Sequence, residues 1–250
     1  MPPTLYLVRH AEGEHNVNRR HHLRDPHITP LGHAQCAALR DEFADSEKVS
    51  VVLASPLKRT IQTAAYCFGA ALARPDVPFV LVPLAQEVAA NPCDTGFPVD
   101  ELRAALPEMV DSAAVGFDLG AKVDFELVEE GWNSKSGIYT PSFPAVERRA
   151  ALLRAWLRAR PEQNVVLVTH GAFLHYLVED WADYDPKKGT GFCNCEVRRY
   201  GFADDGSLAA LEGAASEPGY VKGPRPDWVN RNVLSDVDPA AAVAGEEARL

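Results

Sequence analysis

Apolar positions in this chain follow two spacings. Four short, mostly apolar runs rich in leucine or β-branched residues, Leu5–Val8, Val49–Ala54, Phe79–Val82 and Val165–Val168, have the pattern of strands buried on both faces. Helical spacing lies between them. Thr29-Pro30 opens a helix running towards Phe43. Ser55-Pro56 opens another, with Ser55 as cap and Pro56 at the first helical position. Ile61, Ala64, Ala65, Phe68 and Leu72 mark one face of it. Leu152, Leu153, Trp156 and Leu157 repeat the spacing until Pro161 stops it, and a further helix after Gly171 turns Phe173, Leu174, Leu177, Val178 and Trp181 inward. Trp156 and Trp181 are expected in the core. Phe192–Tyr200 predicts a late strand that places Cys193 and Cys195 on one face as buried thiols. Alternating strands and helices predict an α/β three-layer sandwich, a mostly parallel central sheet flanked by helices.

Residues 91–144 break the alternation, with Gly, Pro and Asp around one short helical piece near Asp100–Leu106. A segment this long and irregular within a compact domain predicts a cap or lid. The expected organisation is one domain over 1–211 with the 91–144 insertion inside it. An extension over 212–250 follows, its Ala- and Glu-rich end expected to be poorly ordered.

Composition narrows the function. The 250 residues carry a net charge of −10, which argues against a nucleic-acid partner or a polybasic attachment to membranes, since both need a basic face. No run approaches the roughly 20 apolar residues of a membrane span. Five cysteines without zinc-type CxxC pairs, and no apolar leader ahead of the first strand, point to free thiols in a reducing compartment, cytoplasmic or nuclear. An acidic chain can still bind a small anion if a few cations share one pocket.

The residues just past each strand supply such a set. Arg9 and His10 follow the first strand, Ser55 and Arg59 the second, Glu87 the third, and Thr169, His170 and Gly171 the fourth. Ligands of open α/β sheets bind outside the carboxyl ends of the strands, so two arginines, two histidines and a carboxylate converge on one rim. That set suits a phosphate monoester. Forked guanidiniums grip its oxygens, a neutral imidazole attacks phosphorus, a second stabilises the shifting charge, and a protonated carboxyl serves the leaving oxygen. His15, His21, His22, His27 and His33 invite a zinc reading, but they lie in a loop without HExxH spacing. They are expected to border the pocket instead, with His22 or Arg24 touching substrate.

Leu5-Tyr6-Leu7-Val8-Arg9-His10-Ala11-Glu12 resembles the signature of the histidine phosphatase superfamily, the phosphoglycerate-mutase-like proteins. Ser55-Pro56-Leu57-Lys58-Arg59-Thr60-Ile61-Gln62-Thr63-Ala64 is similar to its second motif, Val168-Thr169-His170-Gly171 to its third, and Thr29-Pro30-Leu31-Gly32 to the element ahead of its first long helix. The resemblance implies His10 as nucleophile, Arg9, Arg59 and His170 as the phosphate pocket with Asn16 as a further polar member, and Glu87 as acid and then base. It implies neither metal nor cofactor. Ala11 stands where the family most often has Gly, and a positive φ there would strain it. Cys93-Asp94-Thr95-Gly96 and Gly131-Trp132-Asn133-Ser134-Lys135 look closer to fungal relatives than to the common phosphatases and mutases. Trp132 and Lys135 are either substrate contacts or the cap's own small core.

The expected function is hydrolysis of a small-molecule phosphate monoester through phosphohistidine. A mutase, which returns the phosphoryl group, and a dead relative serving as a binding module are the alternatives. Only Arg103, Lys122 and Lys135 are basic in 91–144, too few for the cationic enclosure a mutase needs around a doubly phosphorylated ligand.

Overall fold

The computed structural model describes residues 1–185 and 189–226. Among the described residues, seven strands form one sheet: β1 (Thr4–Arg9), β2 (Val51–Ala54), β3 (Phe79–Leu81), β4 (Val123–Asp124), β5 (Asn164–Thr169), β6 (Val197–Phe202) and β7 (Leu208–Ala210). Their order is β4-β3-β2-β5-β1-β6-β7. The first five pair in parallel, and β6 and β7 add an antiparallel edge.

Strand period two sorts the core into two layers. Leu5 and Leu7, Val51 and Leu53, and Val165 and Leu167 face one cluster, while Tyr6 and Val8, Val52 and Ala54, and Val166 and Val168 face the other. The first cluster is covered by α7 (Phe143–Arg158) and α8 (Gly171–Val178). The second lies under α1 (Pro30–Glu42), α2 (Lys58–Cys67), α3 (Gly69–Leu72), α4 (Val99–Met109), α5 (Ser112–Val115) and α6 (Leu119–Lys122). Two fully covered faces explain why these strands read as continuous apolar runs.

Several boundaries differ from expectation. The second strand starts at Val51, the third ends at Leu81, and the late strand runs Val197–Phe202. Cys195 therefore sits in the preceding turn with φ +58°, and Cys193 is exposed. The second helix starts at Lys58, not at Pro56, and Ser55 does not cap it. Its N-terminus is capped from a distance: Lys58 N donates to Asp25 Oδ1 at 3.0 Å. Thr29 does cap α1, accepting from Gly32 N. Leu152 is 43% exposed, and Trp156 only packs against the core edge, with the Arg160 guanidinium over its ring. Trp181 is buried but lies beyond α8.

Residues 91–144 are more regular than their composition suggests. Leu102, Leu106 and Met109 of α4, Val115, Leu119 and Val123 pack into the α1–α2 layer, and β4 extends the sheet. Of the flanking stretches, Cys93 and Asp94 meet Arg59, and Lys135 meets Glu87. Beyond residue 212, Trp181 N donates to Gly223 O, and Lys222 Nζ donates to Val178 O and Leu208 O. The tail expected to be poorly ordered lies outside the described residues.

Candidate active site

The register of the central strands builds the site. Arg9 pairs with Thr169 across β1 and β5, and Ala54 with Val168 across β2 and β5. His10, His170 and Ser55 thus emerge together from three adjacent strands. His10 N donates to Thr169 O at 3.0 Å, and Asn194 Nδ2 donates to His10 O at 2.7 Å, which fixes the turn. Ala11 is outside the left-handed region and its N–H donates to Thr63 Oγ1, so the turn does not require a glycine there.

Partners set the imidazole tautomers. His10 Nδ1 lies 2.7 Å from Ala11 O; a carbonyl only accepts, so Nδ1 carries the proton and Nε2 keeps its lone pair. His170 Nδ1 lies 3.1 Å from an Arg59 nitrogen and its Nε2 2.8 Å from Ser55 Oγ. Arginine only donates, so a neutral His170 bears its proton on Nε2 and gives it to Ser55. The two rings are 5.2 Å apart. Burial, followed by the Arg59 charge, holds both imidazoles well below the usual histidine range. Both are therefore neutral at pH 7.

The arginines are anchored but not exhausted. Arg9 donates to Phe192 O at 2.6 Å, and Arg59, fully buried, donates to Cys93 O at 2.6 Å and to Asp94 Oδ1 at 2.9 Å. Among the described residues, the Nε of each is buried without a partner. Gly171 opens α8 beside Arg9, where a Cβ would come within 3.1 Å of Arg9 Nε and 2.4 Å of Thr190 Cγ2. Glu87 reaches the same end of the sheet, its Oε1 accepting from Val88 N and from Phe173 N in the first turn of α8. Burial and then the Asp94 charge raise its pKa. Lys135 Nζ donates to Glu87 O at 3.2 Å, and burial pushes its ammonium down to about 7. Trp132 is buried in the core, and Gly96 is required beneath it, since a Cβ there would lie 2.3 Å from the indole.

The structure thus brings Arg9, His10, Arg59, Glu87 and His170 to one end of the sheet. Asn16 is spent within its own loop: Oδ1 accepts from Gly13 N at 3.0 Å and Nδ2 meets His15 Nε2 at 3.2 Å. His22 is exposed, and Arg24 is tied to the rim by Gly96 O and the Phe97 ring. Sequence reasoning placed His15 only as one of five loop histidines bordering the pocket, and did not single out Asn194 or the pairing of Asp94 with Arg59. His15 is buried 5.6 Å from the His10 ring, and burial pushes it down to about 3. Its only signal was membership of a histidine-rich loop. The Asp94 and Asn194 contacts span 35 and 184 residues and carried none.

Comparison with known proteins shows the family and the fold. The histidine phosphatase superfamily (branch 1) profile matches residues 5–212. A phosphoglycerate mutase-like protein of Arabidopsis thaliana is 28% identical, with 82% of this chain and 86% of that protein covered. A probable phosphatase of Schizosaccharomyces pombe is 26% identical over 81% of this chain and 92% of its own. The crystal structure of the ecdysone phosphate phosphatase from Bombix mori, in complex with tungstate, shares the fold with a TM-score of 0.54 at 15% identity, covering 91% of this chain and 98% of that one. Among the described residues, no helix is long and apolar enough to cross a membrane. The chain belongs to the histidine phosphatase superfamily.

Proposed function

We propose that this protein is a metal-independent phosphatase that hydrolyses a small phosphate monoester through phosphohistidine at His10. The observation that carries the reading is the His10 tautomer set by Ala11 O, together with two buried guanidinium nitrogens, Arg9 Nε and Arg59 Nε, that have no partner among the described residues. Such donors are costly to leave unpaired, about 1–3 kcal/mol each, and a phosphate oxygen is their natural acceptor.

In the first step His10 Nε2 gives its lone pair to phosphorus as the ester P–O bond breaks. Nδ1–H against Ala11 O steadies the ring while it takes on positive charge. Arg9 and Arg59 hold the non-bridging oxygens, with Asp94 keeping Arg59 in place, and His170 joins them by turning its Nε2–H from Ser55 Oγ to a phosphate oxygen. The Glu87 proton goes to the leaving oxygen. In the second step the Glu87 carboxylate takes a proton from water, the water oxygen bonds to phosphorus, and the P–N bond breaks. His10 returns neutral, and Glu87 is protonated again. Asn16 supports the pocket by bracing its loop.

The cover over the pocket is assigned to 91–98 and 129–139, which flank the α4–β4 packing. A panel of phosphate monoesters assayed with and without excess EDTA tests the proposal. Release of inorganic phosphate unaffected by chelator is expected. Phosphoryl transfer to a second substrate with no phosphate release would identify a mutase, and a chelator-sensitive rate restored by a divalent ion would refute metal independence.

A further inference from the structure

Away from the pocket, three cysteines from separate segments converge. Cys36 lies within α1, Cys67 ends α2, and Cys195 sits in the turn before β6. Their Sγ atoms are all within 4.8 Å of one another, with Cys36 and Cys195 at 3.9 Å, and all three residues are buried. We propose that Cys36, Cys67 and Cys195 form a three-thiolate site for monovalent copper. This site is independent of the phosphatase reading.

Four features favour that occupant. Soft thiolates select soft ions, Cu(I) first among the common ones. Among the described residues no imidazole or carboxylate joins the group. Zinc, which takes four tetrahedral ligands, is therefore left one short. An equilateral triangle of sulfurs with a 3.9 Å edge has its centre about 2.25 Å from each atom, close to the roughly 2.3 Å of a metal–thiolate bond; the wider edges need only a modest inward shift. Finally, Cys195 holds φ +58°, where a side chain costs about 1–2 kcal/mol and glycine or asparagine is usual. Such strain at a cysteine facing two other thiols points to a use for the sulfur.

Binding changes no oxidation state. Each thiol that becomes a ligand releases one proton to solvent, and the copper remains Cu(I) in a dry site. The site adjoins the catalytic turn, since Cys195 N donates to Arg9 O at 3.0 Å and its neighbour Asn194 donates to His10 O.

The test uses the reduced, full-length protein under anaerobic conditions with one equivalent of Cu(I) and bicinchoninate as competitor. One copper held per chain is expected, with X-ray absorption showing three sulfur scatterers at about 2.3 Å. Cys36→Ser and Cys195→Ser should each weaken retention at least tenfold, and Cys93→Ser and Cys193→Ser should leave it unchanged. Zinc should not be held. Loss of all copper from the wild type to the competitor would mean that the thiols are core packing and nothing more. Equal retention by the triple Cys36→Ser, Cys67→Ser, Cys195→Ser variant would overturn the assignment as well. The sulfur count needs no variant: a shell dominated by nitrogen or oxygen on the wild type would do the same.

Discussion

Glu87→Gln isolates the proton transfer. Glutamine keeps an oxygen where Oε1 now accepts from Val88 N and Phe173 N, so the first turn of α8 and the loop after β3 keep their contacts. What is lost is the carboxyl proton, which burial and Asp94 retain by raising the pKa. An alkoxide leaving group needs that proton, whereas p-nitrophenolate is stable without it. General acid catalysis is worth about 10²–10⁴-fold, or about 3–5 kcal/mol of barrier. In single-turnover quench experiments, phosphorylation by an alkyl phosphate should slow by that factor, and phosphorylation by p-nitrophenyl phosphate by less than about tenfold. With wild-type protein and an alkyl substrate, phosphorylation should fall as pH rises through the Glu87 pKa, and the variant should lack that limb. Dephosphorylation should slow for both substrates, since the proposed second step uses the same carboxylate to activate water. Equal slowing of phosphorylation for both leaving groups would refute the role and direct attention to Asp94 or Glu14.

Two predictions concern stability. His10, His15 and His170 all have folded pKa values depressed by burial, so the unfolded chain binds protons there that the folded chain refuses. Their stabilising contribution is present above about pH 6.5 and is lost as pH falls toward the folded values, at up to about 1.4 kcal/mol per pH unit per histidine. The raised carboxyls of Asp25 and Glu87 oppose this with the reverse sign, but three imidazoles outweigh two carboxyls, so urea midpoints should fall from pH 7 to 5; a flat or rising midpoint would contradict the neutral histidines. Asp25, buried and pushed up to about 6 from 3.8, bears a desolvation cost when ionised. Asp25→Asn keeps an acceptor for Lys58 N and should stabilise at pH 7 by at most about 3 kcal/mol, with the gain gone by pH 4; loss of stability at pH 7 would show that the charge itself caps α2.

The sheet was legible because its central strands are covered on both faces, so Leu5–Val8 and Val165–Val168 needed no partner to be recognised. The site was legible for a related reason. Parallel strands end in register; Arg9 closes β1, and His10, Ser55, Glu87 and His170 come after β1, β2, β3 and β5. Features that depend on distant partners were not legible. The start of α2 is fixed by Asp25, 33 residues upstream, so the local Ser55-Pro56 signal placed it too early, while the Ser55 hydroxyl serves His170. In 91–144, Pro107 inside α4 cut the helical reading short at Leu106, which hid the packing of Leu102, Leu106 and Met109 into the α1–α2 layer. The three thiols come from residues 36, 67 and 195, with no spacing to announce them.

The most direct test of the central claim is to trap the intermediate. Wild-type protein mixed briefly with ³²P-labelled monoester and quenched in base should carry label that is lost in acid, and peptide mapping should place it on His10. His10→Ala should carry none and should turn over no substrate. Label that survives acid, or that maps to a serine, an aspartate or His170, would contradict the account.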